Sequence, residues 1–131
     1  MQETQKAAEL LLKKYNINCT IADARFAKPI DEKLIKNLAQ NHQILMTIEE
    51  GSIGGFGSYV NNYLLQNDMF GNNNLVVRNL FIPDLFIDQA NQDEQYEECG
   101  LSAKQIFSTI SEILDTKAKI LLQEKMTEQA Y

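Results

Sequence analysis

The residues best suited to chemistry lie in one stretch, Leu45–Ser58, reading LMTIEEGSIGGFGS. Two adjacent carboxylates, Glu49 and Glu50, precede Gly51, Ser52, Gly54, Gly55, Phe56 and Gly57. The glycines permit positive φ or a close backbone approach. The helical pattern that follows offers unpaired N–H groups and a partial positive charge to an anion. Two carboxylates at the same mouth repel a phosphate. The residues therefore support two readings, a structural turn or an anion cradle. Neither a GxGxxG fingerprint nor a Walker Gly-Lys-Ser/Thr is present.

Other candidates for chemistry are sparse. The single histidine, His42, falls at a helix end, where a dipole contact accounts for it. No GxSxG elbow surrounds any serine. Cys19 and Cys99 stand far apart with no CxxC, the pattern of reduced, partly buried small hydrophobes. One histidine and two distant cysteines do not make a zinc site. Glu49 and Glu50 point to opposite faces if they continue a strand, so they cannot act as one carboxylate pair. Whichever turns inward would pair with a base such as Arg25 or Lys28, as a structural ion pair. Asp23, Arg25, Lys28 and Asp31 cluster after the first expected strand. They form either a polar network that fixes the turn or a surface for a neighbouring domain. Taken from the residues alone, no catalytic, cofactor-binding or metal-binding set emerges.

The elements that position these groups follow from periodicity. Ala8, Leu11, Leu12 and Tyr15 predict a helix over Gln2–Tyr15, with Lys13 and Lys14 near its C-terminal end. Cys19–Asp23, with Phe26 beyond it, reads as a buried strand that Pro29 stops. Asp31 caps a second helix with Leu34, Ile35, Leu38 and Ala39 inside, ending near Asn41–His42. Gln43–Ile48 is a strand entering the glycine turn. Phe56, Tyr59, Val60, Tyr63 and Leu64 predict a third helix to about Gln66, packed as core. Asn67–Asn74 is a surface loop, and Leu75–Phe81 a further strand. Asn91 and Glu94 open a short helix ending at Gly100. Ser102 and Gln105 form a capping box for the last helix, which packs through Ile106, Phe107, Ile110, Ile113 and Leu114 and runs to about Lys125. Alternating helices and strands imply one α/β layered domain over residues 1–131 with a mostly parallel sheet.

Composition narrows the class. The 131 residues are 44% hydrophobic and 23% charged, with net charge −6. An acidic chain without clustered Lys and Arg does not suit nucleic acid. No apolar run approaches the ~20 residues of a membrane span. The N-terminus is amphipathic and has no signal-peptide pattern, so a cytoplasmic location is expected.

Four segments together carry a resemblance: DARFAKPID (Asp23–Asp31), TIEEGSIGGFGS (Thr47–Ser58), IPDLFIDQ (Ile82–Gln89) and CGLSAKQI (Cys99–Ile106). In this order and spacing the chain resembles the C-terminal, transketolase-type domain of the 1-deoxy-D-xylulose-5-phosphate synthase family, from about Ala7 to Ile113. The same domain type closes the beta subunits of 2-oxo acid dehydrogenases. The resemblance implies a three-layer α/β/α fold. It implies a full-length transferase that needs thiamine diphosphate and magnesium and condenses pyruvate with glyceraldehyde 3-phosphate, starting isoprenoid, thiamine and pyridoxal precursor synthesis. In that family the cofactors and catalytic bases lie on the first two domains, so no catalytic residue carries across. The third domain contributes packing and the homodimer, with the glycine turn facing a neighbouring domain. The family's first strand is missing here: the chain enters the first helix directly, so it is cut inside the domain or another segment takes that place. The alternatives are the dehydrogenase beta-type domain, or a free-standing anion-binding or interaction module.

Overall fold

The computed structural model describes residues 1–51, 53–71, 74–82 and 100–128. The elements in order are α1 (Gln2–Tyr15), α2 (Glu32–Asn41), β1 (Ile44–Ile48), α3 (Phe56–Gln66), β2 (Val76–Leu80) and α4 (Ala103–Glu128). Two compact units hold them, one of Met1–Ile21 with Ser102–Tyr131, the other of Ala22–Leu101.

In the second unit β1 and β2 pair in parallel, Ile44 opposite Val76 through Ile48 opposite Leu80. A parallel pair needs a crossover, and α3 supplies it. Side chains alternate across a strand, so Leu45, Thr47, Val77 and Asn79 share one face. The core lies on that face: Leu45 and Val77 pack against Ile35, Ala39, Val60, Leu64, Met69 and Leu75, with Phe56 and Tyr63 at the margin. Val60 and Leu64 are fully buried, as the i, i+4 spacing of α3 requires. Asp31 caps α2 as expected, its Oδ1 accepting the Leu34 N–H at 3.0 Å.

The first unit packs α1 along α4. The face of α1 turned to α4 is the i, i+4 row Glu3, Ala7, Leu11 and Tyr15. Ala7 and Leu11 are buried, Glu3 accepts the Ala103 N–H, and the Tyr15 ring lies 6.3 Å from that of Phe107. The expected stripe through Ala8 and Leu12 is therefore rotated, and Leu12 is 44% exposed. The reason is polar: anchoring Glu3 on the start of α4 selects the row that contains it. Asn16 ends α1 in the left-handed conformation at φ 57°, which asparagine tolerates. Ser102 caps α4 with Gln105, donating to its Oε1 at 3.1 Å and accepting its N–H at 3.4 Å.

One expected element does not form. Cys19–Asp23 is exposed and makes no ladder with another described strand, and Phe26 is 69% exposed. Apolar and β-branched residues favour a strand only where a neighbour supplies pairing and cover. Among the described residues the sheet has two strands. The expected helix from Asn91 to Gly100, Cys99, most of Ile82–Gln89 and Ser52 lie outside the described residues, apart from Ile82 and Gly100 themselves.

Candidate functional site

The glycine turn joins the C-terminal end of β1 to the start of α3. The Glu49 N–H donates to Leu80 O at 3.0 Å, and the Ile82 N–H donates to Gly51 O at 3.0 Å. Both strand ends are thereby tied to the turn. Gly54 takes φ +99°, a conformation that side chains disfavour.

The Glu49 side chain turns back into the turn. Its Oε2 accepts the Phe56 N–H at 2.8 Å and its Oε1 accepts the Gly57 N–H at 2.9 Å. These are first-turn amides of α3, whose N–H groups lack partners inside the helix. A carboxylate there satisfies the amides and the positive end of the helix dipole together. Gly55 leaves room for this arrangement: a Cβ at that position would meet the Glu49 carboxylate, which would have to shift. Its own O accepts the Ser58 and Tyr59 N–H groups at 3.1 and 3.3 Å. The inward glutamate thus meets backbone amides, and the expected pairing with Arg25 or Lys28 does not occur. Glu50 is exposed.

Beneath the turn runs a polar chain that periodicity did not single out. Asn79 Nδ2 donates to Thr47 Oγ1 at 2.6 Å, and Asn61 Nδ2 donates to Asn79 Oδ1 at 2.7 Å. Thr47 is 5% exposed. A Cβ on Gly57 would meet the Asn79 amide nitrogen and lie 2.8 Å from Thr47 Oγ1, so this glycine lets α3 approach the sheet closely. The available signal was a polar residue on the inner face of each strand, at positions that the register sets opposite each other, Thr47↔Asn79.

The second cluster is only partly assembled. Asp23 Oδ1 accepts the Arg25 N–H at 3.0 Å, with Arg25 at φ 57°. Lys28 instead places its Nζ 4.9 Å from the centre of the Tyr59 ring, a cation–π contact. Asp23, Arg25 and Lys28 form no side-chain ion pair among the described residues. His42 Nδ1 lies 2.9 Å from Leu38 O, at the end of α2 where the dipole favours it. Cys19 is exposed, yet its surroundings remove enough water to push the thiol pKa up. It is therefore a protonated, weak nucleophile at neutral pH.

These residues do not suit a diphosphate–metal cofactor. The Phe56 and Gly57 amides that would face a phosphate are bonded to Glu49. Among the described residues no group of three or more His, Cys, Asp or Glu could hold a metal ion.

The chain is similar to known proteins of one family. The family model described as transketolase, C-terminal domain, matches residues 1–106. A protein of Oryza sativa subsp. japonica, probable 1-deoxy-D-xylulose-5-phosphate synthase 2, chloroplastic, is 46% identical over 114 residues, covering 87% of this chain and 16% of that protein. The chain thus spans about a sixth of the length of this relative. A solved structure described as a split gene transketolase, inactive beta4 tetramer, matches with a TM-score of 0.67 at 27% identity, over 84% of this chain and 35% of that one.

Proposed function

The chain belongs to the transketolase C-terminal domain family, and we propose that it serves as the packing and assembly domain of a 1-deoxy-D-xylulose-5-phosphate synthase. The synthase joins pyruvate and glyceraldehyde 3-phosphate with loss of carbon dioxide, in the cytoplasm, at the head of isoprenoid precursor synthesis. Thiamine diphosphate and Mg2+ belong to the other domains of that enzyme, where the cofactor supplies the carbanion chemistry. The residues of this chain hold a contact surface for those domains and for a homodimer, and carry no reacting group.

The observation behind this reading is the Glu49 carboxylate across the Phe56 and Gly57 amides. A helix start already satisfied from within has no vacancy for a phosphate, which counts against a free-standing anion-binding module. The same bonds pin Glu49 to the start of α3, and a turn held at its two ends suits docking because less ordering remains at contact. At its tip Ile53 is 69% exposed, next to Gly54 and Gly55. Glu50, Gly51 and Ser52 complete the proposed contact, while Asp23 and Arg25 fix a nearby turn on the same unit. The 46% identity to the rice synthase favours that enzyme over the dehydrogenase beta-type domain.

The test mixes this chain with a polypeptide carrying the first two domains of such a synthase and measures association and turnover. The chain alone is expected to give no product and the mixture a complex. Ile53→Asp should weaken the complex about tenfold, roughly 1.4 kcal/mol, with the fold intact. Product from the chain alone, or no association, would overturn the proposal.

A further inference from the structure

Arg25 sits where the backbone does not favour an arginine. Among the described residues four besides glycine take positive φ: Asn16 at 57°, Arg25 at 57°, Asp68 at 53° and Asn74 at 51°. Asparagine and aspartate tolerate this left-handed region because their short polar side chains bond locally. Arginine has no such compensation. Arg25 is also the centre of a three-residue turn, the Phe26 N–H donating to Ala24 O at 2.6 Å, and the positive-φ form of that turn is the strained one. The turn is held without help from the arginine side chain, since Asp23 Oδ1 accepts the Arg25 N–H at 3.0 Å. The guanidinium is exposed and makes no hydrogen bond or ion pair among the described residues. Phe26, next in the chain, is 69% exposed. Neither side chain returns anything to the fold, and strain kept at such a position points to a role outside it.

We propose that Arg25 and Phe26 form the ionic anchor of the domain contact. The guanidinium takes a carboxylate on the polypeptide carrying the first two synthase domains, and the Phe26 ring enters an apolar pocket beside it. This rests on the assembly role proposed above and adds the chemistry of the partner face. Charge selects that chemistry. The chain carries −6, yet residues 22–29 set Arg25 and Lys28 against Asp23 alone, whose carboxylate is turned to the Arg25 amide. The loop is a cationic spot on an acidic domain, complementary to an acidic group. The planar guanidinium holds a carboxylate through two parallel N–H donors, and arginine and aromatic anchors dominate the energetics of buried contacts. Lys28 Nζ, 4.9 Å from the centre of the Tyr59 ring, fastens the loop to the start of α3. Loop and glycine turn thus lie at the same end of that helix, so one partner face can meet Phe26 and Ile53 together.

The experiment titrates the 131-residue chain with the two-domain polypeptide over a rising salt series, with thermal unfolding of each variant. Wild-type affinity should fall as salt rises, because the contact is ionic. Arg25→Gly and Arg25→Asn should each bind about tenfold more weakly at low salt and show a flatter salt dependence. Their thermal midpoints should stay close to that of wild type, because both residues adopt φ 57° readily. Phe26→Ala should weaken binding by a similar factor with the salt dependence unchanged. A complex indifferent to the Arg25 variants would overturn this proposal and leave the assembly role standing, whereas no complex at all would overturn both. Arg25 variants that unfold would make the guanidinium structural and contradict the proposal. So would variants that change the sedimentation of the chain alone, which would make a second copy the occupant.

Discussion

Glu49 decides the character of the glycine turn, because one side chain satisfies two helix amides and fills the space that a Cβ at position 55 would need. Replacing it with alanine is expected to cost about 2 kcal/mol, the loss of a charged cap, read as a lower urea midpoint at unchanged slope. Gly55→Ala should also destabilise, through contact with that carboxylate and through a backbone at φ −81°, ψ −144° that lies outside the main regions of L-residues. The two substitutions should then be non-additive, with Gly55→Ala costing less in the Glu49→Ala background. Gly57→Ala tests the polar chain. In an ordinary helix the change favours stability by up to ~1 kcal/mol, whereas here the new methyl meets Asn79 and Thr47. A net loss of about 1–3 kcal/mol is expected from overpacking, measured by thermal unfolding. The glycines and the adjacent glutamates were plain in the sequence. What each glycine answers to was not, since their neighbours come from Glu49, folded back on the turn, and from Asn79 on another strand.

At the level of elements, local chemistry was the more legible part. The Asp31 cap, the Ser102 cap and the aromatic–aliphatic stripe of α3 all depend on residues within one or two turns, and all stand where expected. The strand over Cys19–Asp23 failed because pairing is non-local, and composition does not say whether a neighbour exists. The rotated face of α1 is a similar case, set by an acceptor contact a hundred positions away in sequence. Glu3 is held below the usual carboxylate range by its bond to Lys6 Nζ and then by the Ala103 N–H. A carboxylate whose folded pKa is depressed stabilises the fold fully above its unfolded value and loses that contribution as pH falls through the folded value. Glu3→Gln should therefore lower the urea midpoint near neutrality. The gap from wild type should narrow steadily as pH drops through the acid range. The effect should be small, because the Lys6 partner is exposed and screened.

For the whole molecule, membership of the transketolase C-terminal domain family accounts for the parallel pair, its α3 crossover and the turn between them. The resemblance was legible because four short segments fall in order; each alone is too brief to carry it. Their roles were less legible, since a docking surface is defined by a partner that the chain does not contain. No described helix is long and apolar enough to cross a membrane. The most direct test is an amide NMR titration of the isotope-labelled chain, first with thiamine diphosphate and Mg2+, then with the polypeptide carrying the first two synthase domains. The account predicts that the Phe56 and Gly57 resonances ignore the cofactor, and that signals across the Glu49–Gly57 turn shift on adding the polypeptide. Saturable shifts at Phe56 and Gly57 with the cofactor alone, or a turn untouched by the polypeptide, would contradict it.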